Sequence, residues 1–373
     1  MRWLTLTAVV WAGAASAEPP GRWFRPDASL LGQTSVGGVF NGDAHPTGRY
    51  DAREGGFHLQ RLEIELGADA GKSFRVATAA TMTLDGFDLD EAYAQTMSLP
   101  WGLGLRAGLF RSKVGHENER RSRASELVQQ PLALGKIFGG RGHLALGAEL
   151  SYDLPTSFPF ELVAAAMSAN GDGERSWFGD AEVPIEHPRD FAYQLGLDMK
   201  KEFATDAFAS LGFDAILGPN DSGRTNATNV FAVALAFGWV REHTGVVVET
   251  EWFLRRRQIP GDALQDLLGW VQATGLISRD WALALRYERT HGLKGDPLDP
   301  DDLLDRHRGT LQVGWRPSAW SRLRLGGYVD FGGPNSKTAD DGSHDKKLVG
   351  GMMLDLEVFA GLAGKERDDE DDD

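Results

Sequence analysis

The chain has 373 residues, no cysteine, 46 glycines and a formal net charge of -15. Without cysteine there is neither a disulfide framework nor a thiolate metal site, and the acidic balance argues against nucleic acid, whose phosphates demand a basic face. No internal run approaches the roughly 20 apolar residues of a membrane helix, yet a β-barrel escapes that test because only alternate residues face lipid.

The N-terminus reads as an export signal. Arg2 supplies the positive start, Trp3 to Gly13 form a short apolar stretch, and Ala15-Ser16-Ala17 is a small-residue cleavage pattern. An ordinary buried helix is the alternative for this stretch. Residues 1–17 are therefore expected to be removed, 18–28 to form a lead-in, 29–361 to form one barrel domain, and 362–373 to be a disordered acidic tail.

Strands are expected at 29–40, 56–68, 72–83, 88–98, 102–110, 142–154, 160–169, 190–202, 206–217, 229–242, 244–255, 264–278, 281–291, 307–316, 321–331 and 347–361. Most are near the roughly 9–11 residues of a tilted spanning strand. Alternation defines them: Phe191, Tyr193, Leu195, Leu197 and Met199 share one face, Ala192, Gln194, Gly196, Asp198 and Lys200 the other. The outward faces carry Leu62, Ile64, Leu66, Phe74, Val76, Ala80, Met82, Leu283, Leu285, Tyr287, Leu354, Leu356 and Val358. The opposite faces carry Arg61, Glu63, Glu65, Arg75, Arg106, Arg286, Glu288, Arg322 and Arg324, which are the expected pore-lining residues, with Asp355 and Glu357 in the same phase. Charges at this density are costly in a dry interior and cheap beside water, so the interior is expected to be wet.

The connections alternate in length. Tight ones fall at 70–72, 99–102, 155–159, 204–206, 242–245, 279–280 and 317–320; longer ones fall at 41–55, 111–141, 170–189, 218–228, 256–263, 292–306 and 332–346, with 84–87 a short exception. Outer-membrane barrels sort their connections in this way, short on the periplasmic side and long outside. Trp101, Trp239, Trp281, Trp315 and Trp320 sit in or beside the tight turns, where an aromatic belt meets the headgroups. The expected fold is all-β: a transmembrane antiparallel barrel of about sixteen strands. A soluble secreted β-protein is the remaining alternative.

Four stretches between Phe57 and Leu154, namely FHLQRLEIEL, LDEAYAQTMSLPWGLGLRAGLFR, VGHENE and GGRGHLALGAELSYDLP, resemble the phosphate-selective porin family and its uncharacterised relatives. The resemblance implies a barrel that passes small hydrophilic solutes. It also implies that lumen arginines and lysines, with an inward-folded third external loop, set anion preference. The corresponding loop is the longest connection, Arg111 to Arg141. Its expected constriction residues are Arg111, Lys113, Glu117, Glu119, Arg120, Arg121, Arg123 and Glu126, with His116, Lys136 and Arg141 nearby. Residues 124–134 are expected to form a short helical turn; a mobile external loop is the alternative reading.

Acids in lumen phase (Glu149, Asp198, Asp214, Glu249, Glu251 and Asp330 besides those above) at least match the bases. The lumen is therefore mixed, and the expected function is an outer-membrane passive diffusion channel for small hydrophilic solutes or ions without strong anion preference. A non-conducting barrel that works through its loops is the alternative. Asp299, Asp301, Asp302 and Asp305 form an acidic loop that reads as solvated, since it lacks the glycine and glutamate of an EF-hand. Nine scattered histidines lack zinc-site pairing, so no metal, cofactor or enzymatic step is expected. The expected partners are outer-membrane lipid and small polar solutes, and a homotrimer stays open because related porins are often trimers. The chain ends without a terminal aromatic, so Phe359 is the internal candidate for the assembly signal.

Overall fold

A computed structural model describes residues 24–40, 48, 49, 51, 55–97, 99–120, 125–156, 158–171, 173–179, 183, 185–204, 206–294, 305–332 and 348–362. Sixteen strands lie in these residues: β1 Phe24–Phe40, β2 Gly56–Ala70, β3 Phe74–Met82, β4 Phe87–Thr96, β5 Leu103–Arg111, β6 Leu144–Leu154, β7 Phe160–Ser168 and β8 Phe191–Ala204. The second half holds β9 Ala207–Asn220, β10 Gly223–Arg241, β11 Thr244–Ile259, β12 Asp262–Leu276, β13 Trp281–Lys294, β14 Asp305–Ser318, β15 Ser321–Gly332 and β16 Val349–Leu362. Each strand pairs antiparallel with its sequence neighbours, and β1 closes on β16, with Ser35 opposite Asp355. Closure satisfies the backbone groups that an open edge would leave bare in lipid.

Every expected strand is present. β1 begins earlier than expected, at Phe24, and β16 ends at Leu362. Two expected long connections are absent. Residues 218–228 and 256–263 are mostly strand, closed by the turns Asp221-Ser222 and Pro260-Gly261. Gly261 takes φ +78°, which a glycine adopts without strain. Polar residues there look like loop, yet the wall simply stands taller: Arg255 and Arg257 face inward, and Arg255 bonds Asp266 of β12 at 2.8 Å. The acidic loop residues Asp299, Asp301 and Asp302, the segment 1–23 and the tail 363–373 lie outside the described residues.

The outer skin is apolar all round. Leu66, Phe74, Val76, Leu195, Phe237, Leu285 and Leu325 are exposed, whereas the charged residues of the alternate phase turn inward. So broad an apolar band is stable only against lipid. No described helix is long and apolar enough to cross a membrane. Trp101, Trp239, Trp281, Trp315 and Trp320 are all exposed at the tight-turn end, and Trp281 stacks on Trp315 with centroids 5.8 Å apart.

The apolar core lies inside the bore. Between β5 and β6 the chain forms two short helices, α1 Gly115–Glu119 and α2 Leu132–Phe138. Pro131 precedes α2, and Gly139, at φ +101°, ends it by donating its N–H to the Gly135 carbonyl at 3.0 Å. Leu132, Leu134, Ile137 and Phe138 are buried, the last three in one cluster with Met167, Trp177, Ile216, Val230, Phe253 and Leu268. Burying each such side chain contributes roughly 1.5–3 kcal/mol.

Candidate permeation passage

The connection after β5 crosses the interior and is held by side chains of the far wall. Asp214 Oδ2 on β9 accepts the Gly115 N–H at 3.0 Å, and Glu251 Oε1 on β11 accepts the Glu117 N–H at 2.6 Å. Arg120 grips Glu249 through two contacts, one at 2.8 Å. Further along, Gln312 on β14 accepts from Val128 N–H at 3.1 Å, and Glu288 on β13 accepts from Leu132 N–H at 2.6 Å. Arg286 donates to the Gln129 carbonyl at 2.7 Å, and Arg322 to the Ser125 carbonyl at 3.1 Å. Those made by the Arg120, Arg286 and Arg322 guanidinium groups belong to the stronger, charge-assisted class.

The expected pore-lining residues divide into two groups. Arg286, Glu288, Arg322 and Arg324 face the bore, but they are 0%, 1%, 2% and 1% exposed. They line the loop's underside and not open water. Arg61 is also buried, 3.4 Å from Glu63 and 3.9 Å from Glu357. The guanidinium fork explains this. Each arginine meets a carboxylate of its own or the neighbouring strand and, for Arg286, Arg322 and Arg324, a loop carbonyl as well. Glu63, Glu65, Arg75 and Arg106, by contrast, remain partly exposed.

The open space lies on the opposite side. A cavity of about 350 Å³ is lined by Glu91, Tyr93, Gln95, Arg106, Glu149 and Ser151 of the wall. Arg111, Lys113 and Glu119 close its other side. Arg106 bonds Glu149 at 2.8 Å, and Lys113 pairs with Glu161.

Of the expected constriction residues, Arg111, Lys113, Glu117, Glu119, Arg120 and Glu126 fall in this connection or at its start, and Glu126 contacts Arg316. Arg121 and Arg123 lie outside the described residues. The helical segments are Gly115–Glu119 and Leu132–Phe138, so the expected turn over 124–134 is displaced; residues 125–131 run as bends pinned by Arg322, Gln312 and Arg286. Burial raises the Glu117 carboxyl above its ordinary range, with Arg120 opposing.

Sequence reasoning missed the apolar packing inside the bore, although a signal for it exists. β7 and β10 are apolar on both faces, with Val163, Ala165, Met167, Val230, Ala232 and Ala234 turned inward and buried. A strand facing water on its inner side has no use for such residues. It also missed a buried polar chain joining this connection to the one after β7. Ser112 Oγ lies 2.5 Å from His143 Nδ1, and His143 Nε2 lies 3.1 Å from Glu174 Oε1. Burial raises the Glu174 carboxyl, and His143 opposes the rise. All three side chains are fully buried, and Phe138 and Trp177 pack on the imidazole, so no substrate reaches the hydroxyl.

No family model matches the chain. An uncharacterized protein of Aquifex aeolicus (strain VF5) is 29% identical over 150 residues, which span 40% of this chain and only 31% of that protein. Among solved structures, an anion-selective porin from Comamonas acidovorans covers 90% of this chain and 100% of its own, with a TM-score of 0.59 at 13% identity. The outer membrane channel DcaP of Acinetobacter baumannii covers 90% and 96%, with a TM-score of 0.55 at 13% identity. OprB of Pseudomonas putida covers 90% and 94%, with a TM-score of 0.55 at 11% identity. The fold is that of the outer-membrane porins. This likeness concerns architecture and does not single out the phosphate-selective family among them.

Proposed function

We propose that the protein is a passive channel for small hydrophilic solutes across the outer membrane of a Gram-negative-type cell, narrowed by the connection between β5 and β6. One observation carries this reading. The connection is bonded to the β9–β15 wall and leaves a cavity of about 350 Å³ with charged walls on the β4–β6 side. Water there solvates the wall charges, which in turn replace part of a solute's hydration shell. Planar-bilayer recording of the refolded protein tests this: stepwise currents are expected, and a folded but silent barrel overturns it. A homotrimer, as in related porins, is checked by cross-linking in native membranes.

A second reading has its own observation. The apolar cluster of α2, Trp177, Phe253 and Leu268 fills part of the bore as a protein core does. A non-conducting barrel that binds through its external connections would carry such packing, and the same recording separates the two.

A further inference from the structure

Fixed charges act on a passing ion only where they are neither neutralised nor covered. Arg308, Arg322 and Arg324 of β14 and β15 fail on both counts. Arg308 bonds Asp330 at 2.6 Å, Arg322 bonds Glu357 at 2.9 Å, and Arg324 bonds Asp355 at 2.9 Å, all buried. On the open side Arg106 has Glu149 and Lys113 has Glu161 at hydrogen-bond distance, while the Arg111 guanidinium donates to the Arg141 carbonyl. Towards the tight-turn end, two acids share one base, since Arg75 bonds both Asp27 and Asp69 at 2.8 and 2.7 Å.

Two acids stand apart from this pairing. Glu119 is exposed, and no described residue gives its carboxylate a hydrogen bond or an ion pair; the cations that act on it, Lys113 and Arg106, are each bound to another carboxylate. The Asp198 side chain is 30% exposed, and its contact among the described cations is His116, at 4.0 Å. Burial, and then Arg120, hold that imidazole below its ordinary range, so it is neutral near pH 7.

We propose that the passage favours small cations over anions, and that Glu119 and Asp198 set this preference. The inference rests on the channel reading and departs from the anion preference that the family resemblance implies. A carboxylate about 4 Å from an ion in water changes that ion's occupancy roughly fivefold.

The test is the reversal potential of the refolded protein in a KCl gradient at low ionic strength, where screening is weak. The expected sign is that of potassium selectivity. Glu119→Gln combined with Asp198→Asn is expected to lower the potassium-to-chloride permeability ratio at least about fivefold. Glu119→Lys with Asp198→Lys is expected to reverse the sign. Heat-modifiable migration on gels confirms that each variant folds; if the pairs do not fold, the exposed Glu119→Gln change alone carries the test. Currents without cation preference overturn the inference and leave the channel reading standing. Cation preference unchanged in the folded variants overturns the assignment to these residues. Absence of any current overturns the channel reading itself, and the inference with it.

Discussion

Glu251→Ala is the sharpest probe of how the constricting connection is held. Glu251 is 1% exposed, and its Oε1 accepts the Glu117 N–H at 2.6 Å. Leaving this N–H without its acceptor costs about 1–3 kcal/mol. At roughly 1.4 kcal/mol per tenfold, local detachment of the segment around α1 is expected to rise about 5- to 100-fold. Asp214 on Gly115 and Glu249 on Arg120 still hold the segment, so the barrel itself should survive. Glu251→Gln keeps a neutral acceptor and should give the smaller change. Hydrogen exchange at residues 115–117 in detergent reports the detachment directly, and flicker in single-channel records is its expected counterpart. Exchange as slow in Glu251→Ala as in the parent protein would refute the anchoring argument.

Arg324→Ala leaves Asp355 and Glu357 buried with fewer partners, and breaking a buried pair of this kind costs about 3–5 kcal/mol; denaturant unfolding in detergent should show a lower midpoint. Desolvation inside the bore raises the Glu119 carboxyl, with Lys113 and Arg106 opposing. A raised carboxyl gains its proton earlier as pH falls, so the cation preference should fade above the roughly 4.3 of a free glutamate, as read from reversal potentials against pH. Trp281 and Trp315 should be quenched by brominated lipid, while Trp177 and Trp270, enclosed in the bore, should not.

The barrel was legible because a strand's period of two survives any mixture of side chains. Phe74, Val76 and Met82 declare lipid as plainly as Arg75 declares the inside. The taller wall was not legible, because Arg255, Arg256 and Arg257 in a row look like loop until Asp266 is seen across from Arg255. Burial of Arg286, Arg322 and Arg324 was hidden for a different reason. Phase tells which way a side chain points, while what lies on top of it is decided by packing from a distant segment. The apolar run of α2, LALGKIF, was the available clue: a loop destined for water has no reason to carry Leu132, Leu134, Ile137 and Phe138.

If solutes pass on the β4–β6 side and the arginine-rich wall is covered, a thiol placed on each side should differ in its access to water. Because the chain has no cysteine, single substitutions report accessibility cleanly. Ser151 lines the open cavity, and Thr310 lies on the covered wall, 5% exposed. In bilayer recordings, a charged membrane-impermeant thiol reagent should reduce the current of Ser151→Cys and leave Thr310→Cys unchanged. Modification of Thr310→Cys with Ser151→Cys inert would contradict the account.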